Sequence, residues 1–394
     1  MNIQEFMHRI LKWIQHRGNR GFKKPALQQQ LDFMHSFPEP KDDVERAYYQ
    51  YLCQKQNEPA WKDIFFNISS FFMIPFYKML MLRRGKKQVL LNKSDAVFIS
   101  NGISDKIIPN SLKIEFPQME ETDFETNLGL IREDLVFVRQ IYKKYRQPYF
   151  QLKILAKLSI YSSAIRRYSP KAVISYTEGS FTCALMTKYC ENLGVEHINI
   201  QHGEYSYNTR ACGMRFHRMY VWERYFYDAL YTLSGFKVPY VIELPDSILK
   251  ACERNKEGNY EYEITYYLQN QSKEELRNVR DMLKRLEQKG YRCKVRPHPR
   301  ESEWSILQQC LPDIAIEDIR TTSLYESLNT TEYVVSFRST VLLEAWFNGK
   351  KILIDDYSSE KYLEELKGED FFLLHKGVMM LSHFIEQHAE KQKR

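Results

Sequence analysis

The sequence predicts an α/β protein made of two doubly wound halves behind a helical N-terminal region. Short apolar runs such as Ala96–Ser100, Ala172–Ser175 and His197–Ile200 alternate with stretches of helical spacing. That alternation implies parallel strands linked by helices. It then restarts with Tyr262–Leu268, Arg292–Arg296, Glu332–Val335 and Lys351–Asp355. Several of these runs end in polar corners, and an open α/β sheet binds ligands outside the carboxyl ends of its strands.

Residues 1–90 read as helical, broken at Pro25 and at Phe37-Pro38-Glu39-Pro40. At the start, Ile3, Phe6, Met7, Ile10, Leu11 and Ile14 share a helical face among basic residues. Two readings stand: a helix on an anionic bilayer, or one packed on its own domain. Ile64–Leu82 is apolar but interrupted by Asn67, Ser69, Ser70, Pro75 and Lys78, too polar for a span; peripheral attachment is one reading of it, and burial between domains is the expected one. Residues 91–240 form the first α/β half, with Lys113–Asn127 as a loop or edge hairpin. Helices are expected at Leu128–Arg146, Leu152–Tyr168, Ala184–Leu193 and Tyr225–Leu233. Residues 241–377 form the second half, entered through a polar linker at Asp246–Tyr260. It contains an amphipathic helix, Lys273–Lys289, closed by Gly290. Residues 378–394 supply a last helix.

The charge balance excludes some functions. Fifty-seven basic against fifty acidic residues leave +7, with no concentrated basic face and no nucleic-acid module, so no nucleic-acid partner is expected. The seven cysteines are odd in number, scattered and without a CxxC pair, which fits a reducing, cytoplasmic setting rather than disulfides or zinc. The polar start does not read as a cleavable signal, so the expected place is the cytoplasm, with peripheral attachment at the inner face of the plasma membrane as an extension of that reading. No glycine-rich dinucleotide fingerprint, Walker loop or DxD motif occurs, so neither a resident cofactor nor a metal is expected.

Two corners in the second half suit an anion. Pro297 and Pro299 deny His298 a regular strand or helix and favour an exposed turn. Ser339 and Thr340 stand between a strand-like run and a helical one, where they cap the helix and offer hydroxyls to a phosphate near its positive dipole end. In the first half, Tyr176-Thr177-Glu178-Gly179-Ser180 follows one strand and Gln201-His202-Gly203 follows the next.

The His-Pro corner followed by Ser-Thr, with Glu178-Gly179 upstream, resembles the motifs of bacterial sialyltransferases and polysialyltransferases. It is similar also to the wider capsule and lipopolysaccharide glycosyltransferases that include Kdo transferases. The likeness spans roughly residues 170–357, and Thr177 stands where that family often has a second acid. It implies the GT-B arrangement, two Rossmann-like domains facing a cleft, with the C-terminal helix Val378–Lys391 returning to the N-terminal domain. It also implies a nucleotide-sugar donor, a CMP-sugar by motif, and an oligosaccharide or glycolipid acceptor. Glu178 would be the base, and His298 would meet the leaving phosphate. Arg296, Pro299, Ser336, Arg338, Ser339, Thr340 and Glu344 would surround the donor, with Glu344 accepting from ribose hydroxyls. Gly179, Ser180, Gln201 and Gly203 would face the acceptor. His202 stays open as an alternative base, because a similar His-Gly corner occurs in teichoic acid polymerases, which use CDP-glycerol. A third expectation is a non-catalytic module of the same fold that binds a glycan or a partner.

Overall fold

The structure is a computed structural model that describes residues 25–86, 92–100, 107–123, 128–205, 209–235, 237–249 and 260–387. The amphipathic stretch at Ile3–Ile14 lies outside them. The chain divides into two compact units, residues 25–202 with 209–243, and residues 203–205 with 244–387.

The first unit opens with three helices, α1 (Leu27–His35), α2 (Asp43–Lys55) and α3 (Ala60–Gly85). Six strands follow, β1 (Ala96–Ile99), β2 (Met119–Thr122), β3 (Ala172–Ser175), β4 (Glu196–Ile200), β5 (Arg218–Val221) and β6 (Tyr240–Ile242). Between them lie α4 (Asn110–Glu115), α5 (Arg132–Lys144), α6 (Pro148–Tyr168), α7 (Cys183–Asn192) and α8 (Arg224–Ser234). The sheet order is β2-β1-β3-β4-β5-β6, parallel throughout, so the strand order reverses beside β1 and β3. β1 and β3 are buried along their whole length, which explains their unbroken apolar runs.

The second unit holds α9 (Asp246–Leu249), β7 (Tyr262–Tyr267), α10 (Lys273–Gln288), β8 (Cys293–Arg296), α11 (Trp304–Cys310), β9 (Ala315–Ile316), α12 (Leu324–Asn329) and β10 (Thr331–Ser336). It continues through α13 (Thr340–Phe347), β11 (Lys351–Ile354), α14 (Glu360–Gly368), β12 (Met379–Met380) and α15 (Leu381–Gln387). Its parallel order, β12-β11-β10-β7-β8-β9, starts from β7 and winds outward both ways, so the reversal lies between β7 and β10. Both units are therefore Rossmann-like α/β units. α10 shows the local logic. Ser272 and Glu275 form a capping box at its start, and Gly290 turns left-handed beyond its end at φ 91°. Leu276, Val279, Met282, Leu283 and Leu286 are buried on one stripe, each worth about 1.5–3 kcal/mol of burial.

Three expectations are corrected. The described part of the span Lys113–Asn127 contains the end of α4 and the parallel edge strand β2, not a hairpin, because Met119–Thr122 pairs in register with Ala96–Ile99. The described part of the expected last helix, α15, packs on its own sheet: Phe384 lies against Tyr291 and Tyr333 in the core of the second unit. α3 is not buried between domains. One side packs on α6, but Phe71 and Phe72 on the other are 65% and 71% exposed.

Candidate functional site

The first unit gathers its polar groups at the carboxyl ends of β3 and β4, over a buried histidine. His197 on β4 is fully buried. Its Nε2 lies 2.9 Å from both Tyr161 Oη and Ser175 Oγ, and its Nδ1 lies 2.7 Å from Thr187 Oγ1. Burial holds its pKa down near 3, so it stays neutral and ties α6, α7, β3 and β4 together. Two residues on, Asn199 is buried in the same strand. Its Oδ1 accepts from Thr177 N at 2.8 Å and its Nδ2 donates to Glu178 Oε2 at 3.1 Å. Gln50 and Gln54 of α2 hold the same turn from behind by donating to the carbonyls of Glu178 and Gly179, at 3.2 and 2.9 Å.

Glu178 is thereby fixed, and it is only 7% exposed. Its Oε1 lies 3.9 Å from Nδ1 of His202, whose side chain is 36% exposed and whose ring leans on Tyr176. His202 Nδ1 is buried with no hydrogen-bond partner of its own, so Glu178 is the nearby acceptor a small shift would engage. The carboxylate thus stands behind the imidazole, with the imidazole outermost.

The other residues at these corners do different work. Ser180 lies in the turn before α7, its carbonyl accepting from Cys183 N and its hydroxyl paired with Thr182 Oγ1 at 2.8 Å. Gly179 faces open space. Gln201 corrects an expectation: it is 1% exposed, and its Oε1 accepts from Trp222 N at 2.7 Å, which closes the β4–β5 edge rather than facing a ligand.

In the second unit the strand reversal lies between β7 and β10, and there Gln269 Nε2 donates to Ser339 Oγ at 2.9 Å. Ser339 is also the N-cap of α13, accepting from Val341 N at 3.2 Å. Thr340 opens the helix, its hydroxyl beside Gly203, where an added Cβ would come within 3.3 Å of it. The sequence reading missed Asn199 and Gln269. Their signals are a lone amide in an apolar strand and the polar run Gln269-Asn270-Gln271 after β7.

His298 sits in the turn after β8. Its backbone N donates to Ser302 Oγ at 2.9 Å, while its Nδ1 accepts from the backbone N–H of Arg300 and Glu301 at 3.2 and 3.1 Å. Those two donors place the ring proton on Nε2, and burial lowers the pKa, so His298 offers a neutral N–H donor rather than a charge. Pro299 is exposed at the tip of the turn.

Three expected donor contacts are corrected or committed elsewhere. Ser336 is buried and donates to Tyr267 O at 2.7 Å, stitching β10 to β7. Arg296 turns away into an ion pair with Glu317, which Lys294 shares, and donates to Thr322 O at 3.1 Å. Arg338 pairs with Glu369, with Glu204 4.0 Å from its Nε. Glu204 is buried, and burial pushes its carboxyl up to about 7 although Arg338 opposes the shift. Glu344 on α13 is pushed up to about 7 by burial alone. Among the described residues no group of three His, Cys, Asp or Glu is disposed to hold a metal ion.

No protein-family model matches the chain, and no curated protein does. Among solved structures the chain is similar to a UDP-GlcNAc 2-epimerase of Methanocaldococcus jannaschii in complex with UDP-GlcNAc and UDP, at 13% identity over 68% of this chain and 86% of that one, with a TM-score of 0.42. It is similar also to S. aureus MnaA with UDP, at 13% identity over 67% and 79%, TM-score 0.45. A glycosyltransferase from Rickettsia africae matches at 13% identity over 68% and 80%, TM-score 0.39.

Proposed function

We propose that the chain is an inverting glycosyltransferase that moves a sialic acid, a related nonulosonate or Kdo from a CMP-sugar to a hydroxyl of a surface glycan, without a metal. The observation that supports it most is the pairing of an outermost His202 with a fixed Glu178 at the carboxyl ends of neighbouring strands. In this reading His202 Nε2 takes the acceptor proton, and Glu178 orients the ring and stabilises the imidazolium that forms. The acceptor oxygen bonds to the anomeric carbon as the bond from that carbon to the CMP phosphate oxygen breaks. CMP leaves with its charge met by the His298 Nε2–H, the Ser339 and Thr340 hydroxyls and the N-terminal end of α13. Glu344 accepts from the ribose hydroxyls. The base thus moves from Glu178, as the resemblance implies, to the imidazole in front of it.

The same exposure of His202 favours a second reading, transfer of a polyol phosphate from a CDP-glycerol-type donor. Thermal unfolding with CMP, CDP and UDP, alongside hydrolysis of their activated sugars and polyols, separates the two. Stabilisation by CMP and release of CMP from an activated nonulosonate are expected. Both transfers leave CMP, so release of CMP from CDP-glycerol but not from the activated nonulosonate would replace the first reading with the second, and indifference to every nucleotide would leave a non-catalytic module.

A further inference from the structure

α3 is 26 residues long, and its two sides differ in kind. Its inner side is built to stay against α6. Tyr77 Oη lies 3.0 Å from Ser159 Oγ, Asn67 Oδ1 accepts from Tyr149 N at 3.1 Å, and Phe66 stacks on Tyr149. At the C-terminal end, Leu130 N donates to Met81 O, and the backbone there approaches so closely that a side chain at Gly85 or Gly129 would collide with it. The outer side carries Ile64, Ile68, Phe71, Phe72, Phe76 and Met79, between 46% and 71% exposed. Their spacing draws one stripe along the helix, about 22 Å long at the α-helical rise. A contiguous exposed apolar stripe of this kind marks an interaction surface.

Charge identifies the partner. From Ile64 to Ser94 the sequence has no acidic residue, while Lys78, Arg83, Arg84 and Lys86 stand exposed beside or beyond the stripe. Lys153 of α6, its ammonium over the Tyr149 ring, adds a cation on the neighbouring helix. A second copy docked through the same stripe would set the same Arg and Lys cluster against itself. Anionic headgroups above an acyl layer complement both the cations and the apolar stripe. The helix is apolar enough to cross a bilayer, with a mean hydropathy of 1.4, but its polar contacts with α6 hold it sideways.

We infer that α3 is an in-plane membrane anchor, its Phe71–Phe72–Phe76 face sunk among the acyl chains of an anionic bilayer and its Arg83–Arg84 end among the phosphates. The inference stands apart from the reaction proposed above.

The test is flotation of the full chain with phosphatidylcholine vesicles, with and without phosphatidylglycerol, together with light scattering of the chain in solution. The wild type should float with the anionic vesicles and lose at least tenfold in partitioning when salt is raised or in Arg83→Glu/Arg84→Glu. Phe71→Ser/Phe72→Ser/Phe76→Ser should stay in the soluble fraction with an unchanged far-ultraviolet spectrum. Three results overturn the anchor: no flotation of the wild type, equal flotation of the triple-serine chain, or a wild-type dimer that the triple-serine change splits and that binds no vesicle.

Discussion

His202 Nδ1 lies 3.9 Å from Glu178 Oε1, with Asn199 holding the other carboxylate oxygen. A carboxylate fixed behind an imidazole sets its tautomer and orientation. His202→Ala should therefore lower kcat by about 10²–10⁴-fold, the usual worth of a general base. Glu178→Gln should lower kcat less, since the imidazole loses the carboxylate that orients it but keeps its own place. An unchanged kcat in Glu178→Gln would show that the carboxylate does not act through His202.

Gln269 and Ser339 meet where the strand order of the second unit reverses. Ser339→Ala should raise the nucleotide Kd and also cost about 1 kcal/mol of stability, because α13 loses its cap. Gln269→Ala should weaken nucleotide binding with a smaller change in Tm. Calorimetric titration and thermal unfolding of the two variants read both effects.

Burial pushes the Glu344 carboxyl up to about 7, with no charge opposing it. A raised carboxyl favours the protonated folded state, so its contribution is fully present below the ordinary carboxyl range and is lost as pH rises through about 7. Glu344→Gln should therefore gain on the wild type between pH 5 and pH 8, which parallel Tm measurements detect. Glu204 is raised to about 7 as well and gives the wild type and the variant the same background slope.

Lys294 and Arg296 share Glu317 in a buried cluster, the Glu317 side chain only 5% exposed. Glu317→Gln leaves two cations there without their counter-ion, a change that typically costs about 3–5 kcal/mol. Denaturant unfolding should show that loss with the nucleotide Kd little changed, since Arg296 is committed to structure.

The sequence by itself determined the alternation of strands and helices apart from the edge strand β2, the restart that makes two α/β units, and the places where His202, Glu178, His298 and Ser339 stand at strand ends. Periodicity is local, so a few residues suffice to report whether a stretch is strand or helix and where it stops. It did not determine which way a side chain turns at those corners. Ser336, Gln201 and Arg296 share the same polar corners as Ser339 and His202, yet neighbouring strands and loops claim them. Asn199 and Gln269 acquired their roles from partners 21 and 70 positions away. The apolar run of α3 likewise reads as core until the fold supplies a partner for one of its sides only. Burial and hydrogen-bond pairing depend on registers between segments distant along the chain, and only the tertiary structure decides those.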